Sequence, residues 1–230
     1  MIIALALVAI AQAQPQTWLL EQEVVTQTKD PHPLSKAGWK DISTWSTSIV
    51  RWRDVDGELQ WTETTCAIST PPVLGIRTEY TDRFIAAIPT PSRSADWDGK
   101  TLRTSVTTTL LGALDTDLTQ ITDADGDGNP GVTVHVSHPL MGRGEVYVAQ
   151  TATSHLSGSE DGSGRIRGSV YVDVTQRILG ASRWWLKHQP PVRPHPDSER
   201  SWFELTSLPE GSDCTTVSAT GPTPKRAEQS

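Results

Sequence analysis

Apolar and polar residues alternate along most of this chain with a period of two, the pattern of strands that bury one face. Val132, Val134 and Val136 alternate with Thr133, His135 and Ser137, and a similar run covers 145–151. Residues 18–25, 44–53, 58–69, 101–111, 165–174 and 202–205 read as further strands. The stretch 75–88 reads as extended, with 83–87 able to form one helical turn, and 179–186 as a turn and a short strand. Between 44–53 and 58–69 stands Asp56-Gly57, a pair that favours a two-residue type I′ turn. That turn sets Trp52 opposite Trp61, Arg53 opposite Gln60 and Val50 opposite Glu63. A charged Glu63 on that face predicts that the face is not wholly buried.

Gly142-Arg143-Gly144 is expected to turn, 157–164 to loop, and Gly168 to mark a bulge. The four prolines of 188–196 read as a surface loop. About nine or ten short strands, with no long amphipathic helix, predict an all-β fold: a single, mostly antiparallel β-barrel or β-sandwich. Closure into a barrel is the preferred form because it removes sheet edges.

Residues 1–13 change the picture of the chain ends. An apolar run closed by Ala11-Gln12-Ala13 has the form of a secretory signal peptide. The expected organisation is a signal peptide over 1–13, one domain over 14–218, and a disordered tail over 219–230. The address is secreted or periplasmic, and no stretch is long and apolar enough for a transmembrane helix. The two cysteines, Cys66 and Cys214, are then expected to pair. Their bridge would tie an early strand to the last one, as suits a sheet that returns on itself. A net charge of −7, with no basic patch, argues against nucleic acid.

The strongest chemical signal is Asp123-Ala124-Asp125-Gly126-Asp127-Gly128-Asn129-Pro130-Gly131, which runs directly into the Val132 strand. Calcium takes oxygen ligands from alternate loop positions, with glycine at the sixth for the sharp turn. Asp123, Asp125 and Asp127 stand at positions one, three and five, and Gly128 at six. Asn129, at seven, offers its backbone carbonyl. Position twelve is Val134 where an EF-hand needs Glu, and a strand follows where an EF-hand needs a helix. The bland alternative is an acidic turn. Asp115 and Asp117 bring the count to five carboxylates within thirteen residues, whose mutual repulsion favours a cation. A closed loop of protein oxygens makes that calcium structural.

The loop resembles the D-x-D-x-D-G loops of thrombospondin type 3 repeats, dockerins and integrin-type propeller blades, though no second full copy is present here. The sequence 123–134, together with Gly144-Glu145-Val146-Tyr147-Val148-Ala149-Gln150 and Ile178-Leu179-Gly180-Ala181-Ser182, resembles a group of exported bacterial β-rich proteins. The likeness covers the second half of the chain and implies no activity or catalytic residue.

Nine tryptophans stand against two Phe and three Tyr. Trp18, Trp45, Trp52, Trp61 and Trp202 are expected to fill or rim the core. Trp184 and Trp185, as neighbours on a strand, would face opposite ways, leaving one free to stack on carbohydrate. A Trp-lined barrel could instead hold a small apolar ligand. The chain has no G-x-S-x-G elbow, H-E-x-x-H, C-x-x-C or phosphate-binding glycine loop. The sequence therefore predicts a calcium-stabilised β-domain with a binding or envelope-associated role. The alternative is a secreted hydrolase working on polysaccharide or another polymer through a carboxylate pair.

Overall fold

Asp56 and Gly57 both adopt positive φ, 56° and 87°, as a type I′ turn requires. The hairpin they close has the expected register: Trp52 pairs with Trp61, Arg53 with Gln60 and Val50 with Glu63. The computed structural model describes residues 16–29, 38–73, 75–188 and 190–218. The expected signal peptide, 1–13, and tail, 219–230, lie outside the described residues.

In chain order the elements are β1 (Gln16–Thr28), β2 (Lys40–Val55), β3 (Glu58–Ser69), β4 (Arg77–Glu79), α1 (Asp82–Ala87), β5 (Ser92–Trp97), β6 (Thr101–Thr104), β7 (Thr107–Leu111), β8 (Val132–His138), β9 (Gly142–Glu160), β10 (Ile166–Ala181), β11 (Val192–Pro194), β12 (Trp202–Leu208) and α2 (Cys214–Ser218). All twelve strands belong to one antiparallel sheet. Pairing runs β10–β12–β1–β2–β3–β5–β6–β9 and returns to β10, while β4, β7, β8 and β11 attach outside that ring. The all-β antiparallel expectation holds, but this is not a clean barrel. The closure rests on short ladders, β6 meeting β9 only over Thr101–Arg103. The three-residue strands β4 and β11 are too short to show a period in sequence.

Strand β9 is the spine. One edge pairs with β10 from Val146 to Glu160. The other edge is met in turn by β8, β7 and β6. Every strand of the ring contributes to one buried cluster: Trp18 and Leu20, Val50 and Trp52, Trp61, Ala95, Leu102, Leu156, Ile166 and Val170, Phe203 and Leu205. The Trp18 and Trp52 rings lie 4.9 Å apart, and those of Trp52 and Trp61 6.0 Å. A second cluster packs Phe84 of α1 and Leu186 against β8 and β9 through Val132, Val136, Val146 and Val148.

Several expectations are corrected. Glu63 does not leave its face open: it is 8% exposed and meets Arg93, brought in by β5, at 3.5 Å. Gly168 is no bulge, since it pairs in register with Gly158 and the irregularity falls between Ile178 and Gly180. The glycine serves close approach instead, because a Cβ there would lie 2.1 Å from the Ser157 carbonyl oxygen. The β8–β9 hairpin turns at 139–141, not 142–144, and β9 continues through 157–160, where a loop was expected. Cys214 starts α2 rather than pinning a strand. It is joined to Cys66 by a disulfide, with a Cα–Cα distance of 5.1 Å. No helix among the described residues is long and apolar enough to cross a membrane.

Candidate metal site

Between β7 and β8 the chain makes a twenty-residue excursion, 112–131, pinched at its neck by two glycines. A Cβ on Gly131 would lie 2.2 Å from the Val148 carbonyl oxygen, and Gly131 holds φ at 86°. No other residue fits that approach to β9. Two isolated bridges, Ala113 with Ile121 and Asp123 with Gly131, divide the excursion into two loops. Leu118 anchors the first, 2% exposed against Ala113 and Ala149.

The second loop holds the expected carboxylates. One oxygen each from Asp123, Asp125 and Asp127 lies within 4.8 Å of the others. That is about the widest separation for two oxygens each roughly 2.4 Å from one ion. Backbone donors from inside the loop hold the carboxylates in place. Asp127 N and Gly128 N donate to the two oxygens of Asp123 at 3.2 and 2.9 Å. Asn129 N donates to Asp127 Oδ1 at 2.8 Å. The strand that follows adds two more bonds, from Thr133 N to Asp125 Oδ2 at 2.8 Å and from the Thr133 hydroxyl to Asp127 Oδ2. The loop and β8 therefore form one unit.

The remaining oxygen, Asp125 Oδ1, is buried without a hydrogen-bond partner. A buried carboxylate oxygen with no partner is costly unless a cation meets it. Partial burial pushes the Asp127 carboxyl up, but the Thr133 hydroxyl, the Asn129 donors and the charge of Arg83 hold it below the usual carboxylate value. The donor set is all hard oxygen, which suits calcium or magnesium and not zinc. The Asn129 side chain donates through its amide nitrogen to Asp127 Oδ2 at 3.2 Å, which leaves its oxygen atoms, side-chain and backbone, as the ones that could serve a cation.

Asp115 and Asp117 stand outside this group. Asp115 heads the first loop, accepting from Thr119 N at 2.8 Å and Gln120 N at 3.2 Å. Those offsets, four and five residues on, repeat those of Asp123, and three residues after each Asp comes a left-handed residue, Leu118 (φ 54°) or Gly126 (φ 67°). The two loops share one backbone device. Sequence reading missed this because Thr119 stands where the second loop has Asp127 and Leu118 where it has glycine.

Trp184 and Trp185 do not lie on a strand. They open a 3-10 turn, Trp184–Leu186. Trp184 is 78% exposed, whereas Trp185 is half-buried and meets His138 edge-on at 6.2 Å. Of the tryptophans expected in the core, Trp18, Trp52 and Trp61 are buried there. Trp202 is half-buried and donates to Glu23 at 2.8 Å. A hollow of about 240 Å³ beside the disulfide is lined by Thr64, Cys66, Ile85 and Ile88 and carries a single carboxylate, Asp82. Compared with protein-family models, curated proteins and solved structures, the chain matches none.

Proposed function

We propose that this chain is an exported β-domain whose 123–131 loop binds one calcium ion as a structural staple, and that its role is binding at or near the cell envelope. The observation that carries the cation is Asp125 Oδ1, buried and unpartnered beside two further carboxylates. Calcium there would draw the loop to Thr133 and hold the start of β8 against β9. The disulfide supports an oxidising address. Trp184, exposed on a turn whose Leu186 is packed in the second cluster, supports a binding role.

The test is calorimetric titration of calcium into the metal-free protein. One ion per chain is expected, with binding lost in Asp125→Asn. That variant keeps one oxygen for the Thr133 N–H and replaces the other, together with the charge, by an amide nitrogen that cannot ligate a cation. Equal affinity in wild type and variant would refute the site.

A further inference from the structure

We infer that the tip of the β8–β9 hairpin, together with Trp184, docks onto an anionic membrane surface. Leu140 is 91% exposed, Met141 44% and Trp184 78%. They belong to one end of the molecule. Arg183 Nε donates to the Arg143 carbonyl at 3.3 Å, Glu145 N donates to Ser182 Oγ at 2.8 Å, and Trp185 lies against His138. The turn beneath Trp184 is anchored, because Leu186 is 6% exposed and packs with Val146. Leu140 N donates to His138 Nδ1 at 3.2 Å, which braces the hairpin tip. The fold thus holds these apolar side chains out in water on a rigid support.

Charge selects the occupant. The chain as a whole is acidic, with 27 Asp and Glu against 20 Lys and Arg. Segments 138–144 and 182–188 reverse this, carrying Arg143, Arg183 and Lys187 with no acidic residue. Glu145, just beyond the tip, is engaged by the Tyr147 hydroxyl at 3.3 Å and by His135 at 3.9 Å. Aliphatic side chains beside an interfacial tryptophan, rimmed by cations, match the boundary between acyl chains and anionic headgroups. A sugar platform would need acceptors for hydroxyl groups, and these two segments contain no Asp, Glu, Asn or Gln.

This reading does not rest on the cation site, which lies at the opposite end of β8, so the test is run in calcium and in chelator alike. The full chain is mixed with vesicles of phosphatidylcholine alone, or with roughly a third phosphatidylglycerol, and pelleted. Binding to the anionic vesicles is expected to be at least about tenfold tighter, since each basic residue near such a surface contributes about fivefold. It should weaken with salt. Brominated acyl chains should quench part of the tryptophan emission, and Trp184→Phe should lose most of that quenching. The pair Leu140→Ser and Trp184→Ala should weaken binding by about tenfold or more with an unchanged melting temperature, because both side chains are exposed. Undiminished binding by that pair would overturn the assignment. So would no binding to either vesicle at low salt, or loss in the pair of binding to a polysaccharide or to a second copy while vesicles stay unbound.

Discussion

Replacing Arg93 with methionine is expected to destabilise the fold by about 3–5 kcal/mol at neutral pH, the cost of leaving a buried charge without its partner. The Arg93 side chain is 3% exposed and that of Glu63 11%. Arg93 also donates to the carbonyl and hydroxyl oxygens of Ser154 at 3.4 and 3.3 Å. With Arg93 gone, Glu63 loses its cationic partner and keeps neutral donors, among them the Ser48 hydroxyl at 3.3 Å. The double variant Glu63→Leu with Arg93→Met should recover most of the loss, because replacing a whole buried ion pair by apolar residues is often neutral or better.

Burial already pushes the Glu63 carboxyl above its ordinary value of 4.5, against the pull of Arg93 and Ser48. A carboxyl raised in the folded state contributes stability that is full below its unfolded value and lost as pH rises through its folded one. Without Arg93 the rise is larger. The defect of Arg93→Met should therefore shrink as the pH is lowered from neutral toward the unfolded value. Urea unfolding of wild type and both variants at two pH values measures this, and a pH-independent defect would contradict it.

Replacing Cys66 and Cys214 by serine is expected to cost about 5 kcal/mol in the chain-entropy account of a loop this long. The bridge spans 148 residues and joins β3 to α2. It is the covalent tie between the first hairpin and the end of the described chain. Guanidinium unfolding of the double serine variant should show this loss, and reduction of the wild type should reproduce it. A loss below about 1 kcal/mol would mean that α2 docks equally well without the bond.

Sequence carried the parts of this fold whose causes are local. The Asp56-Gly57 turn and the period of two were enough to place Trp52 opposite Trp61. The carboxylates of 123–127 were legible because they come from one loop. Glu63 was misread because its partner is thirty residues away and arrives on another strand. The length of β9 was hidden because Ser157, Gly158 and Ser159 show no apolar period. They form strand because Gly158 and Gly168 let two backbones approach, with Phe203 packed over them. Trp184 and Trp185 were placed by a strand rule that does not apply to a 3-10 turn, so the exposed residue could be assigned only from the fold.

The claim at the centre of this account is that the 123–131 loop is a cation-dependent staple, and the melting temperature of the protein in calcium and in excess chelator tests it most directly. A ligand held only by the folded state stabilises by about 2.7 kcal/mol at a hundredfold excess over Kd. For a domain of this size that is a shift of several degrees, roughly 2–4 °C per kcal/mol. The account predicts such a rise in calcium for the wild type and none for Asp125→Asn. Identical melting of the wild type with calcium and with chelator would contradict it, leaving Asp123, Asp125 and Asp127 as the acidic residues of an ordinary turn.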